Sequence, residues 1–324
     1  MNETKALIDK QLRLKGKVLA RLVKYNDEHD FEKYNKVMNI FLRGEKSKKI
    51  LCEEKHILTR NNNKIRVCIY SPLDKKPNAT GLLWLHGGGY AMGIPELDLQ
   101  YYEKLISVAN CIIVAPDYTL SLEKPYPQAL YDSYETLYWM KYNVDDLGIR
   151  EDQIFVGGKS AGGGLAAGTV LYARDKKEVN VAFQMPLYPM LDDRMNTPSA
   201  IDNDAPVWNS KSNYLAWKLY LSDLFETDKV SKYASPSRET DYSNLPPIFT
   251  FIGEAEPFYD ETVQYIENLK KAGVKTHFYT HKGCYHSFDK VCSHSHQGKE
   301  AIKEMLETFK YATENYFASQ DYLK

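Results

Sequence analysis

No stretch of the chain runs for about eighteen apolar residues without interruption, so no transmembrane helix is expected. The N-terminal run MNETKALIDKQLRLKGKVLA carries a charge every few residues and lacks the apolar stretch of a secretory signal. Cysteine is scarce. The five present (Cys52, Cys68, Cys111, Cys284 and Cys292) are odd in number and form no CxxC pair. That excludes a disulfide framework, and the simplest reading is reduced thiols in a cytoplasmic compartment. An excess of charge of one sign is also missing. Lys plus Arg number 42 and Asp plus Glu 43, for a net charge of -1. Nothing in that balance argues for nucleic acid or an anionic membrane as a partner. Internal repeats and low-complexity segments are absent too.

What is present suits one large globular domain. Hydrophobic residues make up 43% and charged residues 26% of 324, ample for a sizeable core. Residues 4–24 and 30–43 place apolar side chains at helical spacing, and Gly44 with the charged run after it ends this segment. Ile50–Thr59 and Lys64–Tyr70 read as two strands joined by the turn-forming Asn61-Asn62-Asn63. Short apolar runs then alternate with helical patterns: Leu82–Leu85, Cys111–Ala115, Ile154–Val156, Val181–Leu187 and Ile248–Ile252, and Lys275–Thr280 is the last expected strand. The intervening helices are expected near 96–109, 127–142, 160–174 and 258–271, with a closing helix at 299–318. This alternation predicts βαβ units around a buried parallel sheet. Residues 190–240 interrupt it with a segment rich in Asp, Asn, Ser and aromatics and helical near 211–223. The expected organisation is an N-terminal helical cap at 1–45 and a main domain at 46–324 with a cap insertion at about 190–240.

Two glycine-rich segments carry the chemical signal. Gly158-Lys159-Ser160-Ala161-Gly162 follows one expected strand and opens a helix. A serine on such a turn is held out of the backbone, and small neighbours are needed where strand and helix meet. Alone, this pattern serves close packing as readily as catalysis. His86-Gly87-Gly88-Gly89 follows an earlier strand. Consecutive glycines leave amide groups unshielded, which suits donors aimed at an oxyanion. A phosphate loop is the weaker reading, since no GxxxxGK[ST] occurs. Together the two segments are far more specific than either alone.

A serine nucleophile needs a base, and His286 lies just after the last expected strand. The base in turn needs an acid. Glu256 is the first choice and Asp260 the reserve, in a stretch whose carboxylates also favour a helix N-terminus. The order Ser160, Glu256, His286 is that of α/β-hydrolases. His277, His281, His294 and His296 also crowd this region. On one strand face His277 and His281 would stand about 13 Å apart, and no spacing matches a zinc template, so no metal site is expected.

From about residue 60 to 315 the chain resembles the hormone-sensitive-lipase-like family of α/β-hydrolases, microbial carboxylesterases with HGGG and a GDSAGG-type elbow. Asp117-Tyr118 with Tyr126-Pro127, Pro186-Leu187-Tyr188-Pro189, and Glu256-Pro257-Phe258-Tyr259-Asp260-Glu261 carry the likeness further. The resemblance implies a mostly parallel eight-stranded sheet flanked by helices, under a helical cap. It implies Glu256 as the triad acid and the amides of Gly88, Gly89 and Ala161 as oxyanion donors. No metal or organic cofactor is implied, and a homodimer through the last strand stays open. Tyr90 and Trp208 are candidates to line the substrate pocket. Two departures stand out: the acid is Glu instead of Asp, and Lys159 replaces the family's Asp before the nucleophile. A cation there opposes the helix dipole unless a carboxylate answers it, and the reading here is that Lys159 points to solvent.

The leading expectation is a serine carboxylesterase acting on short acyl or acetyl esters of small molecules. A true lipase is disfavoured, because no apolar lid or membrane-binding face is visible in the sequence. An amidase or deacetylase would use the same residues, and a non-catalytic ligand-binding hydrolase fold is the third reading.

Overall fold

The computed structural model of the chain describes residues 7–321. One eight-stranded sheet organises them: β1 (Ile50–Leu58), β2 (Lys64–Pro72), β3 (Ala79–Leu85), β4 (Cys111–Pro116), β5 (Ile149–Lys159), β6 (Phe183–Leu187), β7 (Ile248–Gly253) and β8 (Thr276–His281). Their spatial order is β1-β2-β4-β3-β5-β6-β7-β8. β1 and β2 form an antiparallel hairpin, β2 meets β4 antiparallel, and every pair from β4 onward is parallel. β3, β4 and β7 are buried at every position, as strands covered on both faces must be.

The helices longer than one turn are α1 (Lys10–Leu22), α2 (Glu28–Phe41), α3 (Leu99–Val108), α4 (Gln128–Tyr142), α5 (Ala161–Lys176), α6 (Ser210–Leu221), α7 (Tyr259–Lys271) and α8 (His296–Asn315). α5 follows directly on β5 and is buried along most of its length. Its sequence, AGGGLAAGTVLYARDK, is apolar nearly all round, the pattern of a central helix. The first expected helix is interrupted at Ile8 and Asp9, where Asp9 caps α1 by accepting the Gln11 amide, and its residues 4–6 lie outside the described residues. The helix expected at 96–109 divides into a tight turn at Pro95–Asp98 followed by α3, because the proline opens the segment and Asp98 is drawn into the interior.

The strand order reverses on either side of β3, whose neighbours are β4 and β5. Such a reversal opens a crevice at the carboxyl ends of the strands. Leu85 pairs with Gly158, so the chain leaves β3 and β5 at the same height. Gly253 pairs with His281, which does the same for the segments that follow β7 and β8. All four motif segments therefore emerge from one edge of one rigid sheet.

The N-terminal helices lie across this edge. The Asp9 amide donates to the Gly283 carbonyl (2.9 Å), and Lys15 Nζ to the Val291 carbonyl (2.5 Å). Tyr25 stacks on Phe31 (4.9 Å between centroids) and packs on Trp208 from the 190–240 segment (5.4 Å). One expectation needs correction. Leu14, Val18 and Leu22 repeat every fourth residue along α1 and are exposed, as are Ile40 and Phe41 on α2. An outward apolar row thus exists, hidden in the sequence because both faces of α1 contain leucine. No described helix is long and apolar enough to cross a membrane, and the five cysteines are unpaired.

Trp84 anchors β3 to the turn before α3. Its ring lies against Tyr101 and Tyr102, and its Nε1 donates to Asp98 Oδ2 (2.9 Å). Trp84→Ala should cost about 3–5 kcal/mol in urea denaturation, from the cavity and the orphaned carboxylate together. A loss under about 1 kcal/mol would show that this contact does not hold the turn in place.

Candidate active site

Ser160 occupies the one residue between β5 and α5, with φ 59° and ψ -125°. A side-chain-bearing residue rarely adopts that conformation, at a cost of about 1–3 kcal/mol. Its backbone is fixed on both sides. The amide donates to the Leu187 carbonyl (2.9 Å), while its carbonyl accepts from Gly164 (3.0 Å) and Met190 (3.1 Å). The turn is tight enough that a Cβ at Gly162 would stand 2.1 Å from the Leu85 carbonyl oxygen, which explains the small residues of the motif.

This backbone brings Ser160 Oγ to 2.8 Å from His286 Nε2. The other ring nitrogen, Nδ1, lies 2.5 Å from Glu256 Oε2. Glu256 is fully buried, and its Oε1 accepts the Gly253 amide (2.9 Å). Burial raises its pKa, with the neighbouring His286 opposing the rise. The rings of Tyr188 and Phe258 meet the imidazole edge-on at 5.0 and 5.2 Å, which fixes its plane. Asp260, the reserve acid, is engaged elsewhere: it accepts the Ser199 amide (2.7 Å) and ties the 190–240 segment to α7. Glu261 is buried and accepts the amides of Leu191 (2.7 Å) and Asp192 (3.3 Å). The acidic stretch that the sequence left ambiguous is thus shared among three tasks.

Beside the hydroxyl lies the glycine loop. Gly88 has φ 133°, and a Cβ there would fall 1.9 Å from the Met92 carbonyl, so no other residue fits. Among the described residues the amides of Gly88, Gly89 and Ala161 donate to no protein acceptor. His86 holds the loop from below. It is buried, stacked on Tyr118 (4.2 Å), and its carbonyl accepts the Tyr118 hydroxyl (2.8 Å). Burial lowers its pKa, so it stays neutral. An acid, an imidazole and a hydroxyl in line, next to unpartnered amides, can activate an alcohol and hold a developing oxyanion.

These groups open into a cavity of about 300 Å³. Trp208 lines it, with Tyr25, Tyr34, Val37 and Met38 from the N-terminal segment. Tyr90 does not. It is fully buried, and its contacts with Tyr220 (3.8 Å) and Trp217 (5.8 Å) of α6 hold its ring away from the cavity. Larger surface hollows of about 630 and 580 Å³ contain none of these groups. The C-terminal histidines disperse: His277 bonds Tyr316 (2.7 Å) and His281 faces Glu304 (3.1 Å). No cluster of metal-ligating residues occurs among the described residues.

Lys159 departs most from expectation. Its side chain is 5% exposed and turned inward, with Nζ 2.5 Å from Asp98 Oδ1 and 5.1 Å from the Tyr101 ring centroid. Lys159 and Lys290 hold the buried Asp98 carboxyl below its ordinary range against the strong opposing effect of burial. Asp98 was missed because nothing in its sequence spacing links it to a residue sixty-one positions away. Lys159→Met should therefore destabilise the fold by about 3–5 kcal/mol, since it strands a buried carboxylate. Adding Asp98→Asn should recover much of that loss in thermal unfolding. A double variant no more stable than the single one would contradict the pairing.

Residues 82–290 match a family model described as alpha/beta hydrolase fold. An arylesterase of Saccharolobus solfataricus is 32% identical over 228 residues, covering 68% of this chain and 71% of that protein. The carboxylesterase NlhH of Mycobacterium tuberculosis is 32% identical over 213 residues, covering 65% and 66%. A solved bacterial heroin esterase superposes with a TM-score of 0.86 at 30% identity, over 96% of this chain and 99% of that one. The chain belongs to the α/β-hydrolase fold family, and it is an ester hydrolase like these relatives.

Proposed function

We propose that the chain is a serine carboxylesterase that cleaves short-chain acyl or acetyl esters of small molecules. The observation that carries this reading is the contact of Ser160 Oγ with His286 Nε2 at 2.8 Å, in line with Glu256 and beside three unpartnered amides. His286 takes the Ser160 proton as Oγ attacks the ester carbonyl. The carbonyl oxygen gathers negative charge and is met by the amides of Gly88, Gly89 and Ala161. His286 then gives that proton to the leaving alkoxide, and the alcohol departs. Water, deprotonated by His286, attacks the acyl-serine, and the imidazolium returns that proton to Ser160 Oγ as the acid is released. Glu256 keeps the imidazole in the tautomer with its free lone pair on Nε2, and stabilises the imidazolium.

The cavity of about 300 Å³ lies at the lower end of ligand sites, which favours short acyl groups. α1, α2 and the 190–240 segment, meeting at Tyr25 and Trp208, act as the cap over it. The unpaired thiols favour a cytoplasmic setting.

Short p-nitrophenyl esters should be hydrolysed, and Ser160→Ala should lower kcat by at least about 10⁴-fold. Glu256→Gln should lower it about 10⁴-fold while leaving thermal stability nearly intact. Running matched anilides in the same assay separates esterase from amidase. Undiminished hydrolysis by Ser160→Ala would remove the proposal.

A further inference from the structure

The cavity that holds Ser160 contains an unusual charge arrangement. Among the described residues two lysines line it, Lys159 and Lys290, and no Asp or Glu does. The rest of the wall near them is apolar, supplied by Met92, Leu97, Val291 and Met38. Lys159 is already answered, because its Nζ takes Asp98 Oδ1 at 2.5 Å. Lys290 is not. Its Nζ donates to the Leu97 carbonyl (2.8 Å) and stands 4.0 Å from the same Asp98 oxygen. One carboxylate is thus shared by two ammonium groups, and the shorter contact belongs to Lys159. The second acid of the region, Asp289, accepts the Tyr101 hydroxyl (2.5 Å), and burial raises its pKa, which weakens it as a counter-charge. The Lys290 side chain is 30% exposed, so it can be reached from the cavity.

We propose that Lys290 is a substrate-recognition residue, and that the preferred esters carry a carboxylate whose charge it receives. This rests on the esterase reading above. An arriving carboxylate supplies the counter-charge that Asp98 gives to Lys159, and replaces water on an ammonium that has unused N–H donors. The surroundings add a second signature. Burial and the neighbouring Lys159 push the Lys290 pKa down to about 7, against Asp98 and Asp289. The ammonium is therefore most populated below that pH and is lost above it. Preference for a carboxylated ester should be strongest in mild acid and fade as pH rises. A ratio of two substrates cancels any pH dependence that both reactions share.

Two matched pairs test this. Mono-4-nitrophenyl adipate against 4-nitrophenyl hexanoate places the carboxylate on the acyl arm. 4-Carboxyphenyl butyrate against 4-carbamoylphenyl butyrate places it on the alcohol arm. In one pair the carboxylated ester should have the higher kcat/KM at pH 6.5, through a lower KM, and the responding pair identifies the arm. Lys290→Met should reduce that ratio by about ten-fold to a hundred-fold, as expected for a hydrogen bond to a charged group. Lys290→Arg should retain most of the ratio at pH 6.5 and keep it at pH 8.5, where the wild type loses it. Carboxylated esters turned over no better than their neutral matches by the wild-type enzyme would overturn the inference and leave the esterase reading standing. A ratio unchanged in Lys290→Met would overturn it equally. Failure to cleave any of the four esters would bring down both.

Discussion

Everything at this site depends on one residue of backbone. Between the end of β5 and the start of α5 the chain has a single position, Ser160, in which to turn from strand to helix, and it does so with φ 59°. That turn costs free energy and is held by three main-chain hydrogen bonds from β6, α5 and the segment after β6. It aims Oγ out of the sheet edge and toward His286. It also leaves Ala161 as the first residue of a helix, where an amide has no intrahelical acceptor. One conformational constraint therefore delivers the hydroxyl and one of the amides in fixed relation. The glycine loop after β3 supplies the others from the adjacent strand, because Leu85 and Gly158 are in register.

The second constraint is electrostatic. Placing a lysine before the nucleophile puts a cation beside the positive end of a buried helix, which is unfavourable unless compensated. The fold compensates by drawing Asp98 into the interior, where Trp84 and Lys159 both bind it. Compensation is incomplete, since Lys290 comes to the same carboxylate. The surplus positive charge then faces the cavity and not the core. A substitution in the elbow motif is thereby converted into a property of the substrate site.

Much of the fold was legible because its signals are local. Seven of the eight strands are apolar runs or part of a hairpin with an Asn-rich turn, β8 follows the glycine stop at 273, and the longer helices between strands follow apolar periodicity. Ser160, His286 and Glu256 could be named because glycine motifs, strand ends and chain order mark them. What escaped depended on tertiary contact. The partner of Lys159 sits sixty-one positions away on another element, in a turn with no motif of its own. Tyr90 was misplaced because its ring is taken up by Trp217 and Tyr220, more than a hundred positions along the chain, and its nearness to the glycine loop does not reveal that contact. The exposed row on α1 was hidden because Leu12 faces inward and Leu14 outward, and spacing alone does not say which face meets the sheet.

The account's central claim is that Ser160 becomes covalently acylated through the base at position 286. Labelling with a fluorophosphonate, digestion and mass mapping of the peptides measures this directly. The account predicts one phosphonyl group, on Ser160, and little or no label in His286→Ala. Label on another residue, or equal labelling of Ser160 without the imidazole, would contradict it.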